Sequence, residues 1–132
     1  MSSHLPPFWA SHLLAVLGAP RRHENIRFLE AWARAEGGSA RFNPLNSTWD
    51  LPGATDYNSA GVKNYPRAVW GLAATALTLT SPASGPLAYG RIVGHLQAGT
   101  YTAEQIVNDC ADQIRHWGTS PSLILDLLKE TP

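Results

Sequence analysis

Apolar residues recur at helical spacing over most of this chain and predict a mainly helical protein. A sixth helix is expected to begin at Ser120-Pro121, where a capping side chain precedes a proline. The segment 37–65 lacks helical periodicity and carries turn signals, with room for one or two short strands. We therefore expect about six helices and a small irregular or β lobe in one domain, 1–132. The five earlier segments with the repeat of an amphipathic helix are 5–18, 24–36, 66–79, 86–97 and 103–117.

Local signals predict several helix ends and inward faces. Pro66 is expected as the first residue of the third helix, and Thr102 with Gln105 forms a capping-box pattern before the fifth. Cys110 lies in the apolar stripe of the fifth helix, so we interpret it as a small core residue. Other positions predicted to face the core include Phe8, Trp9, Val16, Val69, Leu72, Leu77, Leu87, Ile92, Ile114, Leu123 and Ile124.

The second predicted helix places a carboxyl group on its apolar side. Arg27 and Arg34 are expected on the opposite, solvated side. Glu36 also lies in the last turn, where the helix dipole disfavours a negative charge. Both effects raise a carboxyl pKa, so Glu36 is a candidate general acid, the alternative being an ordinary solvated glutamate. At about 100° per residue, the apolar side comprises Ile26, Leu29, Trp32, Ala33 and Glu36.

The loop that follows Glu36 is rich in side chains suited to binding sugars. A long loop without periodicity inside a small domain is often functional. Hydroxyl and amide groups can exchange hydrogen bonds with sugar hydroxyl and acetamido groups, and aromatic rings can lie against a sugar ring. Alternatively, the polar residues simply form turns and the aromatic residues cover the core. The candidates are Asn43, Asn46, Ser47, Thr48, Asn58, Ser59 and Asn64, with the aromatic residues Trp49, Tyr57 and Tyr65.

Asp50 and Asp56 lie in the same loop and are candidates for a second carboxylate. General-acid cleavage of a glycosidic bond often uses a second carboxyl group that stays ionised. The sequence does not give the separation of either aspartate from Glu36, so retaining and inverting outcomes both stay open. Each aspartate can equally be a turn residue.

Composition and charge narrow the range of partners. The net charge is zero, and 44% hydrophobic with 15% charged residues is typical of a globular protein, without the basic patch of a duplex nucleic-acid binder. We expect no membrane-spanning segment and no signal peptide, hence synthesis in the cytoplasm. The single cysteine excludes an internal disulfide and a cysteine-based zinc site, and the histidines lack metal-ligand spacing. We expect a monomer that needs no metal or organic cofactor.

An ordered set of motifs over residues 15–117 resembles a known family. It is similar to the lysozyme-like transglycosylase domains of actinobacteriophage endolysins and tail-associated proteins. The motifs are Leu17-Gly18-Ala19-Pro20, Asn25, Phe28-Leu29-x-Ala31-Trp32, Ala35-Glu36-Gly37-Gly38, Asn43-Pro44-Leu45-Asn46, Thr48, Asn58-Ser59-x-Gly61-Val62-x-Asn64-Tyr65-Pro66, Gly71-x-Ala73-Ala74-Thr75 and Tyr89-x-x-Ile92-Val93-x-x-Leu96-x-x-Gly99.

This resemblance implies a lysozyme-like fold with a glycan cleft between the lobe and the helices. The implied substrate is the glycan strand of peptidoglycan, cut between N-acetylmuramic acid and N-acetylglucosamine after release from the host cytoplasm or delivery to the wall. Glu36 matches the catalytic glutamate that ends a helix, and Ser59-Ala60-Gly61-Val62 with Tyr65 matches the stretch that lines the cleft. The catalytic candidates are Glu36, Asp50 and Asp56, and the substrate-binding candidates are Asn43, Thr48, Asn58, Ser59 and Tyr65.

Alternatives remain at two levels. A lytic transglycosylase needs no second acid, because the sugar's own 6-hydroxyl captures C1, whereas a hydrolysing muramidase uses an aspartate or a water held by threonine. Asp50, Asp56 and Thr48 are all candidates for that second role. Two other functions fit the sequence. One is a non-catalytic peptidoglycan-binding module on the same fold, and the other is a structural helical adaptor of a phage tail.

Overall fold

The protein is mainly helical in residues 5–82 and 88–130, the part described by a computed structural model. A short sheet pairs β1 (Thr55–Asp56) with β2 (Lys63–Asn64) antiparallel. The predicted fold class, mainly α with a small β lobe, is confirmed. None of the helices in these residues combines the length and apolar character needed to cross a membrane. The helices are α1 (Trp9–Leu17), α2 (His23–Glu36), α3 (Ala68–Thr80), α4 (Gly90–Ala98), α5 (Ala103–Asp109), α6 (Ala111–Trp117) and α7 (Pro121–Lys129).

Side-chain caps begin α5 and α7 where the sequence predicts them. The Thr102 side chain accepts from the Gln105 N–H, and the Gln105 side chain accepts from the Thr102 N–H, which completes the capping box. Ser120 accepts from the Leu123 N–H ahead of the proline that opens α7. Pro66 was wrongly predicted as the start of the third helix, because α3 begins only at Ala68.

The predicted helix 103–117 is interrupted at Cys110. The backbone there has φ −113° and ψ 17°, outside helical values, and separates α5 from α6. Cys110 is nevertheless fully buried, as predicted, and burial raises the pKa of its thiol to about 11. No glycine or proline marks the interruption, so propensity alone gives no warning of it.

The hydrophobic core is built around α2, which contacts α1, α5 and α7. Phe28 and Trp32 of α2 are completely buried, with ring centroids 5.4 Å apart. The Trp32 ring also meets Trp117 edge-on at 5.3 Å, and Trp117 meets Tyr89 at 5.0 Å. This run of ring contacts packs the C-terminal half of α2 against the end of α6.

Several residues predicted to face the core are exposed instead. Nearly every residue of α3 is apolar or small, so the sequence pattern does not single out one face of this helix. The structure buries Leu72 and Leu79 and leaves Val69 and Leu77 exposed. Leu87 lies outside the described residues. The wrong predictions of burial are Phe8, Val16, Val69, Leu77 and Leu123.

Arg27 was wrongly predicted to lie on the solvated side of α2. Only 10% of its side chain is exposed, and its guanidinium hydrogen-bonds Glu24 at 2.8 Å and Glu104 at 3.2 Å. The same group donates to the backbone oxygen of Leu128 at 3.1 Å. Arg27 therefore ties α2 to both α5 and α7, with its charge matched by two carboxylates.

The lobe, which we define as residues 37–67, meets α3 at a close backbone contact. A Cβ on Gly71 would lie 1.7 Å from the backbone oxygen of Phe42, so only glycine fits there. Phe42 itself has φ 57°, a left-handed value that is uncommon for a bulky residue. The contact fixes the start of the lobe relative to the helical framework.

Candidate active site

Glu36 is the last residue of α2 and lies where the helix meets the lobe. Its side chain is half-buried. Glu36 faces partly inward because it lies on the apolar side of α2. Gly37 ends the helix immediately afterwards in a left-handed conformation. The carboxyl group therefore projects from a rigid element at the point where the chain becomes irregular.

Two neutral donors hold the carboxyl group of Glu36. The Thr119 hydroxyl donates to Oε2, and Asn46 Nδ2 donates to Oε1 at 3.0 Å. Thr119 lies between α6 and α7, 83 residues from Glu36 along the chain, and is buried. Both carboxyl oxygens thus have a protein donor before any ligand arrives.

Burial raises the pKa of Glu36, and the hydrogen bonds from Thr119 and Asn46 partly offset this by stabilising the ionised form. The direction is the one that the apolar stripe predicted. A carboxylic acid with a raised pKa keeps its proton at higher pH than an exposed glutamate, which suits a general acid.

Asn46 reaches Glu36 from an unusual backbone conformation. Its φ is 58°, and its Nδ2 also lies 3.3 Å from the backbone oxygen of Glu36. A Cβ on Gly38 would lie 2.0 Å from Asn46 Oδ1. Gly38 therefore does more than end the helix, because its missing side chain is the space that the Asn46 amide occupies.

Asn43 organises the lobe from within. It is buried, and its Nδ2 donates to the backbone oxygens of Ser47 and Lys63, each at 2.8 Å. Its Oδ1 accepts from the Ser47 N–H at 2.8 Å. The amide group is occupied inside the protein, so Asn43 is not accessible for the direct glycan contact that we predicted.

Tyr65 is also part of this internal scaffold. Its ring is buried, and its hydroxyl donates to the backbone oxygen of Trp49 at 2.5 Å. Burial also raises the pKa of the Tyr65 hydroxyl. A buried ring cannot stack on a sugar, so Tyr65 supports the lobe instead of presenting a platform.

Thr48, Asn58 and Ser59 are exposed on the lobe and can be reached by a ligand. Asn58 Oδ1 accepts from the N–H groups of Ala60 and Val62, at 3.1 and 3.2 Å. It therefore shapes the turn between the strands, as polar loop residues often do. All three remain predicted glycan contacts.

Both aspartates lie in the lobe, where Asp56 forms an ion pair with Lys63. Asp56, on β1, is exposed and pairs with Lys63 Nζ at 2.7 Å. Asp56 and, more weakly, the charge of Asp50 raise the pKa of Lys63. Neither aspartate hydrogen-bonds Glu36 or contributes to its pKa shift. The role of Asp50 or Asp56 as a second carboxylate stays a prediction, since such a carboxylate faces Glu36 across a cleft without a hydrogen bond to it.

A cavity of about 420 Å³ lies between the end of α3 and one face of α4, lined by Leu79, Tyr89 and Val93 among others. None of its described lining residues is a predicted site residue. The cavity and the carboxyl site are thus separate features, and the carboxyl site is identified by its hydrogen bonds.

The sequence did not identify Thr119 as part of the site. It follows the glycine that ends α6 and precedes the cap of α7, so it looks like a connecting residue. Only the three-dimensional structure brings it to Glu36. Asn46 was proposed as one of many sugar-binding groups, but its observed partner is Glu36.

No protein-family model, curated protein or solved structure matches this chain. The resemblance carried by the motifs therefore stays a prediction.

Proposed function

We propose that this protein is a peptidoglycan-cleaving glycosidase in which Glu36 is the general acid. The bond it cleaves is the glycosidic bond between N-acetylmuramic acid and N-acetylglucosamine. The biological process is phage lysis or penetration of the cell wall. The observation that carries the proposal is the half-buried Glu36 carboxyl, held by Thr119 and Asn46 at the edge of the lobe. The motif resemblance supplies the substrate.

In the proposed reaction, Glu36 protonates the glycosidic oxygen as the bond to C1 breaks. The leaving sugar keeps that proton as a hydroxyl group, and positive charge develops at C1 and the ring oxygen. The raised pKa lets Glu36 keep its proton to higher pH than an exposed glutamate does, which favours its role as proton donor. Exposed Thr48, Asn58 and Ser59 are the proposed contacts to the glycan.

The fate of C1 distinguishes the two versions of the enzyme. Glu36 is the group common to both versions, and the lytic transglycosylase is the version that needs no second carboxylate. Capture of C1 by the sugar's 6-hydroxyl would then give an anhydro product, as in a lytic transglycosylase. A muramidase would need one of the aspartates or a water held by Thr48.

Mass spectrometry of muropeptides released from purified peptidoglycan tests the proposal. We expect soluble products from the wild type, with an anhydro-muramyl end for a transglycosylase or a reducing muramic end for a muramidase. Glu36→Gln should release them at least about 100-fold more slowly, because a general acid contributes at least that factor. Glu30→Gln, at an exposed position of the same helix, is the matched control and should be unaffected.

The alternatives give different results in the same experiment. Wild-type protein that binds peptidoglycan without releasing fragments would contradict catalysis and favour the non-catalytic binding module. A Glu36→Gln variant that is folded, by circular dichroism, and fully active would contradict the role of Glu36.

A further inference from the structure

The hydroxyl group of Thr119 lies between the indole of Trp32 and the carboxyl group of Glu36. Trp32 Nε1 is 2.9 Å from Thr119 Oγ1, and an indole N–H can only donate. Thr119 Oγ1 therefore accepts from Trp32, and its single proton is free to be donated elsewhere. That proton goes to Glu36 Oε2, the other partner of the hydroxyl.

This chain of donors is enclosed by the core. Trp32 is completely buried and Thr119 is 5% exposed, so water does not compete for the bond between them, whereas the bond from Thr119 to Glu36 is only partly buried. The Trp32 ring is itself held between Phe28 and Trp117. The position of the Thr119 hydroxyl is thus set by a rigid aromatic residue. Trp32 thereby also sets the side from which Thr119 donates to Glu36 Oε2.

Thr119 and Asn46 together leave few places for an acid proton on Glu36. A carboxyl group offers about four lone-pair directions, and each donor occupies one, on Oε2 and Oε1 respectively. Asn46 Nδ2 cannot accept a proton, and the hydroxyl of Thr119 is already directed by Trp32. While Thr119 and Asn46 both donate as they do in this structure, the proton sits on a lone pair that neither donor occupies.

We propose that Thr119, oriented by Trp32, is a positioning residue that directs the Glu36 proton away from the core and toward the bound glycan. This proposal rests on the function proposed above for Glu36. Thr119 does not touch the substrate in this scheme, and it acts through the carboxyl group alone. Its contribution is a fixed direction for proton delivery and a stabilised carboxylate after the proton has left.

Proton NMR of the wild-type protein tests the hydrogen-bonded chain without any assay of activity. We expect the Trp32 indole N–H resonance to shift with pH along the same titration curve as the Glu36 side-chain carboxyl carbon, because Thr119 links them. The Trp117 indole is a built-in control, since it donates to the backbone oxygen of Leu45 at 2.9 Å and should not follow that curve. A Trp32 resonance that is flat through the Glu36 titration would overturn the proposal.

Substitutions at Thr119 then test positioning. Thr119→Val keeps the shape but removes the hydroxyl, so we expect kcat to fall about tenfold with KM unchanged. The pKa of Glu36 should rise further, which moves the alkaline limb of the pH profile to higher pH. Thr119→Ser restores the hydroxyl and should recover both. Thr75→Val removes another buried hydroxyl, one that donates to Gly71, and serves as the matched control.

The outcomes separate this proposal from the proposed function. A folded Thr119→Val variant with the wild-type pH profile and kcat would overturn the positioning role of Thr119. Loss of activity in Glu36→Gln would still support Glu36 as the general acid. Coupled titration of Trp32 and Glu36 in a protein that releases no muropeptides would contradict the function but retain the hydrogen-bonded chain. If Thr119→Val does not fold, the wild-type titration alone decides the chain of donors.

Discussion

Helix α2 carries two ionisable side chains that are partly or largely shielded from water, Arg27 and Glu36, and their hydrogen-bond partners differ in charge. Near its start, Arg27 is met by the carboxylates of Glu24 and Glu104. At its end, Glu36 is met by a hydroxyl and an amide, both neutral. The hydrogen bonds that Arg27 donates to Glu104 are the largest influence on the pKa of Arg27 and raise it, whereas burial is the largest influence on the pKa of Glu36 and raises it.

The same direction of shift has opposite consequences for charge. A higher pKa keeps Arg27 cationic, so its ion pairs are fixed and can hold α5 and α7 to α2. A higher pKa brings Glu36 closer to its neutral form, so this group can gain and lose a proton. One end of the helix is therefore suited to stability and the other to chemistry.

Breaking the Arg27 end should have the largest effect on folding. Arg27→Met removes the cation from two partly exposed carboxylates, and we expect a loss of about 2 kcal/mol in the free energy of unfolding, measured by urea denaturation. Arg34→Met is the control, because Arg34 is 48% exposed and 3.8 Å from Glu130. That control should change stability by less than about 0.5 kcal/mol. Equal losses in the two variants would contradict a special role of Arg27.

A substitution that displaces Asn46 from the Glu36 carboxyl group should have a smaller effect on energy than the loss of Arg27. A methyl group at Gly38 would collide with the Asn46 side chain and displace it from Glu36. We expect Gly38→Ala to lower the rate of muropeptide release about tenfold and to raise the Glu36 pKa, followed by carbon NMR.

Gly94→Ala is the matched control, because a Cβ there meets no atom within 4 Å. It should keep full activity and gain about 0.5 kcal/mol of stability, as alanine is the better helix former. Unchanged activity and an unchanged Glu36 pKa in Gly38→Ala would show that Asn46 is dispensable.

The smallest expected effect is on the pH dependence of stability, which should have opposite signs for Glu36 and for Glu104, the partner of Arg27. The folded-state pKa of Glu36 lies above its unfolded value, so the free energy of unfolding falls as pH rises between these values. Glu36→Gln removes this loss. The pKa of Glu104 is lowered by Arg27, so its stabilisation is present above the unfolded pKa and is lost as pH falls through the folded one.

Urea denaturation at a series of pH values measures both trends. As pH rises, the free energy of unfolding of Glu36→Gln should increase relative to that of the wild type. The free energy of unfolding of Glu104→Gln should decrease relative to that of the wild type. Parallel curves for the two variants would contradict the contrast between the two ends.

Features set by neighbours in sequence could be predicted. The helices, the caps at Thr102 and Ser120, and the inward position of Glu36 on α2 all follow from spacing over a few residues. The small sheet in the lobe was foreseen only as a possibility, because two-residue strands have no periodicity of their own.

Features set by distant parts of the chain could not be predicted. The buried face of α3 depends on which surfaces pack against it, since its own pattern is apolar nearly all round. Arg27 looked solvated because its partner Glu104 lies 77 residues away. Thr119 likewise carries no local sign of its contact with Glu36.

The contact between Glu36 and Thr119 has a consequence for the order of events during folding. It closes a loop of 83 residues, so most of the chain must be made and in place before it can form. A nascent chain that has completed α2 and the lobe holds Glu36 with a local donor at most, from Asn46. Its carboxyl group acquires its final environment only when the segment between α6 and α7 docks, which makes proton-transfer competence a late event of folding.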